Sequence, residues 1–356
     1  MIKNLSFANF RGLKALDLTN LEQVTLISGK NNAGKSSILE GIFLLIDHLA
    51  PESFTKINRF RNLPLTSDHS TLWEPVFNNL NTDIPVTISM DLDGVPHEVK
   101  YIKDRDFIPT EVGGTPQDMW NQFVSSAKSS YSLKFIFSAD EYREEGHFVV
   151  SASGMLRHFK TNQTNNEVRP CPFVQFINTS ILNNDQVIIE WFGKLELQGQ
   201  KSKIVDVLKI LDDSITDIST IALKGQIQLY AKMHDKLLPL KLAGDGLNRL
   251  LFLVLAIVAN PHSIILIDEI ESGFHYSMYP KLWQVIASAA RDNDCQIIAT
   301  THSYECIDGA IEGIENVNMI NSFCFYRIEG NENTNKSFRY SGTLLRYAVD
   351  ASLEVR

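Results

Sequence analysis

The sequence predicts an α/β fold built around a parallel sheet, with its two halves held apart along the chain by a segment of different character. Three observations carry this. A short apolar strand, Val24 to Ser28, runs into a glycine-rich loop and then a helix starting near Lys35. After Leu240 the same alternation returns: a glycine loop, an apolar helix Asn248 to Ala259, a strand Ser263 to Ile267, a helix Met278 to Arg291, and a strand Gln296 to Thr300. Unbroken apolar strands alternating with helices mark strands buried on both faces. Residues 51–235 lack this pattern.

The elements follow in order. Ile2 to Phe10 alternates as an amphipathic strand. The helix after the first glycine loop places Ile38, Leu39, Ile42, Phe43 and Ile46 at helical spacing. In the middle segment, Pro85 to Lys103 reads as a hairpin turning at Asp93-Gly94. Ser132 to Val150 reads as a second hairpin, around Glu144-Glu145-Gly146. Lys201 to Asp212 is a helix with Ile204, Val205, Val207, Leu208 and Leu211 on one broad face. No heptad pattern runs through this region, which argues against a long coiled-coil arm. There is no internal repeat, and Gly330 to Lys336 is a short polar turn. The expected organisation is an N-terminal half (1–50), an inserted mixed α+β lobe (51–235), and a C-terminal half (236–356).

Composition bounds the rest. The chain has 356 residues, 44 % of them hydrophobic, which excludes wholesale disorder. Its net charge of −9 argues against coating nucleic acid through overall charge. Cys171, Cys295, Cys306 and Cys324 show no metal spacing and read as reduced, buried thiols. The longest apolar run, Leu250 to Ala259, is too short to span a bilayer, and Met1-Ile2-Lys3-Asn4 does not open a signal peptide. A soluble cytoplasmic protein without membrane contact is expected.

Gly29-Lys30-Asn31-Asn32-Ala33-Gly34-Lys35-Ser36 fits the phosphate-binding pattern G-x-x-x-x-G-K-[ST], between a strand and a helix as the chemistry requires. Backbone N–H groups of such a loop surround a phosphate, and the helix N-terminus adds its dipole. Lys35 would neutralise the β- and γ-phosphates and the Ser36 hydroxyl would ligate Mg²⁺, with Ser37 beside it. Ser263-Ile264-Ile265-Leu266-Ile267-Asp268-Glu269 is a buried strand ending in two carboxylates. Asp268 would hold Mg²⁺ and Glu269 would polarise the attacking water as general base. A third strand ends in Thr300-Thr301-His302-Ser303, where His302 is placed to sense the γ-phosphate. Finally, Gly244-Asp245-Gly246, before the helix at Asn248, forms a potential anion-binding nest.

Together these features resemble the ABC-type ATPases, and more narrowly the branch containing SMC, RecF and the OLD-family ATPases. Gly29 to Ser36 resembles Walker A, Ile264 to Glu269 Walker B, His302 the switch histidine, and Glu271-Ser272-Gly273-Phe274-His275 the D-loop. Phe7-Ala8-Asn9-Phe10-Arg11-Gly12 is similar to that branch's N-terminal strand, whose arginine lies near the nucleotide. Leu242-Ala243-Gly244-Asp245-Gly246 stands where the family has LSGGQ, without its Ser and Gln. Gln175 is the one Q-loop candidate, with an ordinary strand residue as the alternative. The resemblance covers about 165 residues at the two ends of the chain. It implies a P-loop ABC-type ATPase head with an insertion between Walker A and the signature motif. It also implies ATP and Mg²⁺ as cofactors, and a homodimer or higher homo-oligomer in which one subunit's signature loop closes another's site.

OLD-family proteins continue into a TOPRIM nuclease domain, which needs an Asp-x-Asp pair. None occurs in the 53 residues after Ser303, so no intrinsic nuclease is expected. Asp91-Leu92-Asp93 reads as a hairpin turn, and Asp292-Asn293-Asp294 as a solvated link. The chain is similar to stand-alone ATPases of split antiphage defence systems such as PARIS, which implies a separate effector, a TOPRIM-like nuclease. Two other classes stay open: a RecF-like repair ATPase that binds DNA directly, for which Lys56, Arg59 and Arg61 are the only basic cluster, and a transporter's nucleotide-binding subunit.

Overall fold

The computed structural model describes residues 1–61, 63, 72–107, 127–151, 154, 156–164, 171–178, 185–210, 212–223, 226–330, 334–351 and 353–355. The chain forms two compact units. Unit 1 comprises Met1–Leu21, Asn31–Cys171 and Ile328–Ser337; unit 2 comprises Glu22–Lys30, Pro172–Arg327 and Phe338–Arg356.

Unit 1 is organised by a seven-stranded sheet. Its strands are β1 (Ile2–Phe10), β2 (Leu13–Thr19), β4 (Val86–Leu92), β5 (Val95–Asp104), β6 (Ala127–Ala139), β7 (Tyr142–Ser151) and β8 (Leu156–Gln163). They lie in the order β2-β1-β4-β5-β6-β7-β8, and every neighbouring pair is antiparallel. β4 alternates strictly between buried and half-buried residues, the period of a sheet with one face packed. The β4–β5 hairpin turns at Asp93-Gly94, both with positive φ, and the Asp91 carboxylate accepts the Gly94 N–H at 2.9 Å. Helix α1 (Lys35–Ile46) packs on this sheet through Gly41, where a Cβ would come within 2.5 Å of the Phe7 ring. Tyr101 of β5 donates its hydroxyl to the Leu44 carbonyl at 3.1 Å. Helix α2 (Glu52–Phe60) follows.

Unit 2 is built on the buried strands β3 (Val24–Gly29), β9 (Val174–Ile177), β13 (Ile264–Ile267) and β14 (Gln296–Thr300). They pair in parallel in the order β3-β14-β13-β9. β15 (Phe323–Gly330) and β16 (Asn335–Ser341) extend the β3 side to six strands. Helices α3 (Asp185–Leu197), α4 (Lys201–Lys209), α5 (Asp245–Val258), α6 (Tyr279–Asp292), α7 (Tyr304–Asn316) and α8 (Gly342–Asp350) accompany them. A three-stranded meander, β10 (Ile215–Leu223), β11 (Gln226–Met233) and β12 (Lys236–Pro239), completes the unit. α5 buries every residue from Arg249 to Ile257. Each such aliphatic side chain stabilises the fold by roughly 1.5–3 kcal/mol, so α5 is the spine of this core.

The expected α/β architecture with a parallel sheet is present, and three local expectations shift. The second hairpin turns at Asp140-Glu141, with Asp140 at φ 52°, not at Glu144–Gly146. Gly146 lies inside β7, where a Cβ would sit 2.6 Å from the Phe135 ring and 2.7 Å from the Phe159 carbonyl. It allows close packing and does not make the turn. Cys171 is half-buried; the other three cysteines are buried, and all four are free. The division into units also differs from the boundaries at 50 and 235. β1 pairs with β4, so the N-terminal strand opens the sheet that 86–163 continue, while 172–235 belong with the parallel sheet. An alternating strand does not announce which later strand it will pair with, which is why the sequence pattern misses this.

Candidate functional site

The phosphate loop begins at the buried end of β3, with Gly29 and Lys30 in unit 2, and continues into unit 1 from Asn31. Asn31 and Asn32 are exposed, and Asn32 sits in the left-handed region at φ 64°. Ala33 is buried. Gly34 is the N-cap of α1 at φ 97°, and a Cβ there would meet Leu13 Cδ2 at 2.3 Å, so only glycine fits. α1 starts with no side-chain cap and no acidic residue in its first turn. Its positive dipole end is therefore left for an anion. Lys35 and Ser36 are half-buried there, and Ser37 is buried behind them.

Behind this helix unit 1 carries an ionic cluster around the buried Glu40. Glu40, 2 % exposed at its side chain, pairs with Arg61, whose Nε donates to Oε1 at 2.7 Å and whose Nη2 donates to Oε2 at 3.0 Å. Arg61 Nη2 also donates to Ser37 Oγ at 3.1 Å. Arg11 Nε stands 2.8 Å from Glu40 Oε2, a charge contact that is not aligned as a hydrogen bond. Arg11 Nη2 donates to Asn58 Oδ1 at 3.2 Å. Burial lowers the Arg11 guanidinium to about 10, with Glu40 opposing the shift and Arg61 adding to it. Arg11, expected beside a nucleotide, thus makes its described contacts with Glu40 and Asn58. Of the basic cluster, Arg61 is engaged by Glu40, and Lys56 lies 3.6 Å from Asp47.

Unit 2 brings the other predicted residues together at the ends of its parallel strands. Asp268 and Glu269 leave the end of β13. Asp268 donates its N–H to Ile177 O at 2.8 Å, and its Oδ1 accepts from Thr300 Oγ1 at 2.6 Å. That same Oγ1 accepts the Glu269 N–H at 2.9 Å. One threonine at the end of β14 therefore fixes both carboxylate residues. Glu269 is exposed and turned into the left-handed region at φ 49°, a strained setting for a non-glycine residue. Arg249, buried in α5, donates through Nη2 to the Glu269 carbonyl at 2.8 Å. Burial lowers the Arg249 pKa, against the opposing charges of Glu271, Glu269 and Asp268. His302 follows β14 and faces Glu271: the Glu271 Oε1 accepts the His302 N–H at 2.7 Å and lies 2.8 Å from Nδ1.

The signature-like stretch belongs to the same unit. Gly244 is the N-cap of α5 at φ 110°, and Asp245 is exposed as the first helical residue without capping it. A Cβ on Gly246 would stand 3.2 Å from the Gly273 carbonyl and 3.5 Å from the Phe274 ring, so this stretch packs on the D-loop-like Gly273-Phe274. Beside it opens a hollow of about 750 Å³ lined by Asp245, Asn248, Arg249 and Ser272. Gln175 lies within β9, and its Nε2 donates to the Phe176 carbonyl at 3.2 Å. The motif stretches include Thr300 and Glu271 without giving either a role, and they do not mark Arg249 or Glu40. Glu40 and Arg249 did carry a signal, a lone charge inside an apolar helical run, which is affordable only when paired.

Residues 1–169 match the family described as "AAA ATPase domain", and residues 187–308 the family described as "AAA domain, putative AbiEii toxin, Type IV TA system". A Helicobacter pylori protein named ATP/GTP phosphatase is 26 % identical over 333 residues, 86 % of this chain and 87 % of its own length. Among solved structures, an SMC head bound to the C-terminal winged-helix domain of ScpA aligns with a TM-score of 0.51 at 13 % identity, over 96 % of this chain and 98 % of its own. The SMC head with an extended coiled coil, bound to the C-terminal domain of ScpA derived from Pyrococcus furiosus, aligns at 0.51 with 10 % identity, over 99 % of each chain. Among the described residues no helix is long and apolar enough to cross a membrane. The fold is that of SMC head ATPases, and with the two AAA domain matches it supports an ATPase of the AAA/SMC-like class.

Proposed function

We propose that this chain hydrolyses ATP with water to ADP and phosphate, and that ATP-dependent closure of a homodimer scaffolds or regulates a separate effector, a TOPRIM-like nuclease, in bacterial antiphage defence. The observation that carries the enzymatic part is the strand-end cluster. Thr300 Oγ1 anchors Asp268 and the Glu269 backbone together, and the Glu269 side chain is left exposed. A general base must reach a water at the γ-phosphate, and an exposed carboxylate on an over-determined turn suits that task.

The residue roles follow from chemistry. Gly29, Lys30, Asn31, Asn32, Ala33, Gly34, Ser36 and Ser37 cradle the phosphates, and Lys35 neutralises them. Ser36 and Asp268 offer a hydroxyl and a carboxylate, hard oxygen donors that suit Mg²⁺, which keeps several of its own waters. When bound, the ion would draw charge from the phosphate oxygens. Glu269 takes the proton of the attacking water, and His302 senses the γ-phosphate. Gly244, Asp245 and Gly246 close over the nucleotide of a partner subunit, and the hollow beside Asp245 leaves room for it. Arg11 acts from behind α1, through Glu40. The nucleotide motifs occupy 1–50 and 236–356, and the segment 51–235 carries none of them.

The toxin–antitoxin wording of one matched family supports a regulated, defence-type role, and the two SMC heads are themselves bound to a partner domain. A pull-down with the products of neighbouring genes, with and without Mg-ATP, tests the reading. ATP-dependent capture of a nuclease supports it. No capture, together with DNA-stimulated ATP turnover by the protein alone, favours the RecF-like repair alternative instead.

A further inference from the structure

We propose that Glu271 is a positioning residue for His302: its buried carboxylate fixes which ring nitrogen carries the proton and so makes the opposite nitrogen the anion-facing one. This rests on the reading of His302 as the γ-phosphate sensor.

Glu271 is 6 % exposed, and a single oxygen, Oε1, accepts the His302 N–H at 2.7 Å and stands 2.8 Å from Nδ1, a charge contact. A carboxylate at that distance favours a proton on Nδ1. The His302 side chain is otherwise 56 % exposed, so Nε2 is the nitrogen left for a ligand. To donate to a phosphate oxygen Nε2 must be protonated as well. The ring would then be a cation between two anions, a state that Coulomb attraction from both sides favours. Glu271 Oε2 is buried and has no hydrogen-bond partner among the described residues. A buried carboxylate kept half-satisfied is costly, and a catalytic role explains retaining it. The charged and titratable groups acting on Glu271 are Arg249 of α5, Tyr279 of α6 and Cys306 of α7. Of these only Arg249 carries a charge at neutral pH, and its sign favours the ionised Glu271.

The experiment uses the full chain with ¹⁵N-labelled histidine. The His302 resonances are assigned by their loss in His302→Gln, and ATP turnover is measured at neutral pH. In the wild type the nucleotide-free ring should hold its proton on Nδ1. Glu271→Gln keeps the shape and loses the charge. It should shift the proton towards Nε2 and cut turnover roughly tenfold. Glu271→Asp keeps the charge and should restore part of the turnover. An unchanged tautomer in Glu271→Gln overturns the proposal. So does unchanged turnover in Glu271→Gln while His302→Gln loses turnover. If His302→Gln turns over normally, the reading of His302 as sensor has failed, and the tautomer measurement alone decides whether Glu271 holds the ring.

Discussion

The two units handle charge in opposite ways. In unit 1 a buried carboxylate is neutralised: Glu40 faces the buried Arg11 and the exposed Arg61 behind α1. Unit 2 places Asp268 and Glu269 where the chain leaves a parallel sheet and leaves Glu269 exposed, its backbone held by Arg249 and Thr300 and its Oε2 accepting from Ser272 Oγ at 3.4 Å. A buried ion pair such as Arg11–Glu40 can specify the seat of a helix, and replacing such a pair with apolar residues can leave a protein folded. An exposed acid on a strained turn adds no comparable stability, which is the observation behind the role proposed for Glu269. The sheets differ in the same sense. β4 alternates and packs on one face, whereas β3, β13 and β14 are buried throughout and present chemistry only at their ends.

The contrast can be broken at each end. Lys35→Ala should abolish ATP binding, weakening it at least about a hundredfold by calorimetry, because the phosphates lose their main cation. Its melting temperature without nucleotide should stay near that of the wild type. Gly244→Asp should leave binding by the monomer intact and block ATP-induced dimerisation. The position has φ 110°, which disfavours any side chain, and the helix end that would face an anion becomes more acidic. A variant that still dimerises on ATP would remove this loop from the interface. Glu40→Ala tests the structural side. Leaving Arg11 buried and unpaired should cost about 3–5 kcal/mol in chemical denaturation. An equal loss of ATP affinity in a still-folded variant would make the cluster functional as well.

A smaller effect comes from acid. Burial lowers His48 to about 4, against weaker raising contributions from its hydrogen bond to Leu45 and the Glu144 charge. Burial also lowers His147 and His158. A histidine depressed in the folded state binds protons more readily when unfolded. Its stabilisation is complete above the unfolded value near 6.5 and is lost as pH falls towards about 4. For His48 this amounts to at most about 3 kcal/mol. His48 stacks on Phe137 at 3.5 Å, so His48→Phe should keep the packing and flatten the acid limb of stability. An unchanged slope in that variant would place the acid sensitivity elsewhere.

What could be read beforehand divides along the same line. The strands Ile264–Ile267 and Gln296–Thr300 and the helix α5 are continuous apolar runs, and their type follows from local pattern alone. The pairing of β1 with β4 was not legible, because register and partner are settled by tertiary packing. Gly146 read as a turn because glycine marks both turns and tight packing; Phe135 decides between them. Gly29 to Ser36, Asp268, Glu269 and His302 stand out in the sequence because phosphate chemistry demands fixed residue types at fixed spacing. Thr300 and Glu271 do not, since their roles depend on a hydrogen bond across some 31 residues that no local pattern encodes.

The central claim is that Glu269 is the base of an ATP-driven dimer switch, and Glu269→Gln tests it most directly. Mass in solution and ATP turnover are measured on wild type and variant with Mg-ATP. The account predicts ATP-bound dimers that persist in the variant, with turnover lowered about 10²–10⁴-fold. A variant that turns over ATP at the wild-type rate and stays monomeric would contradict it.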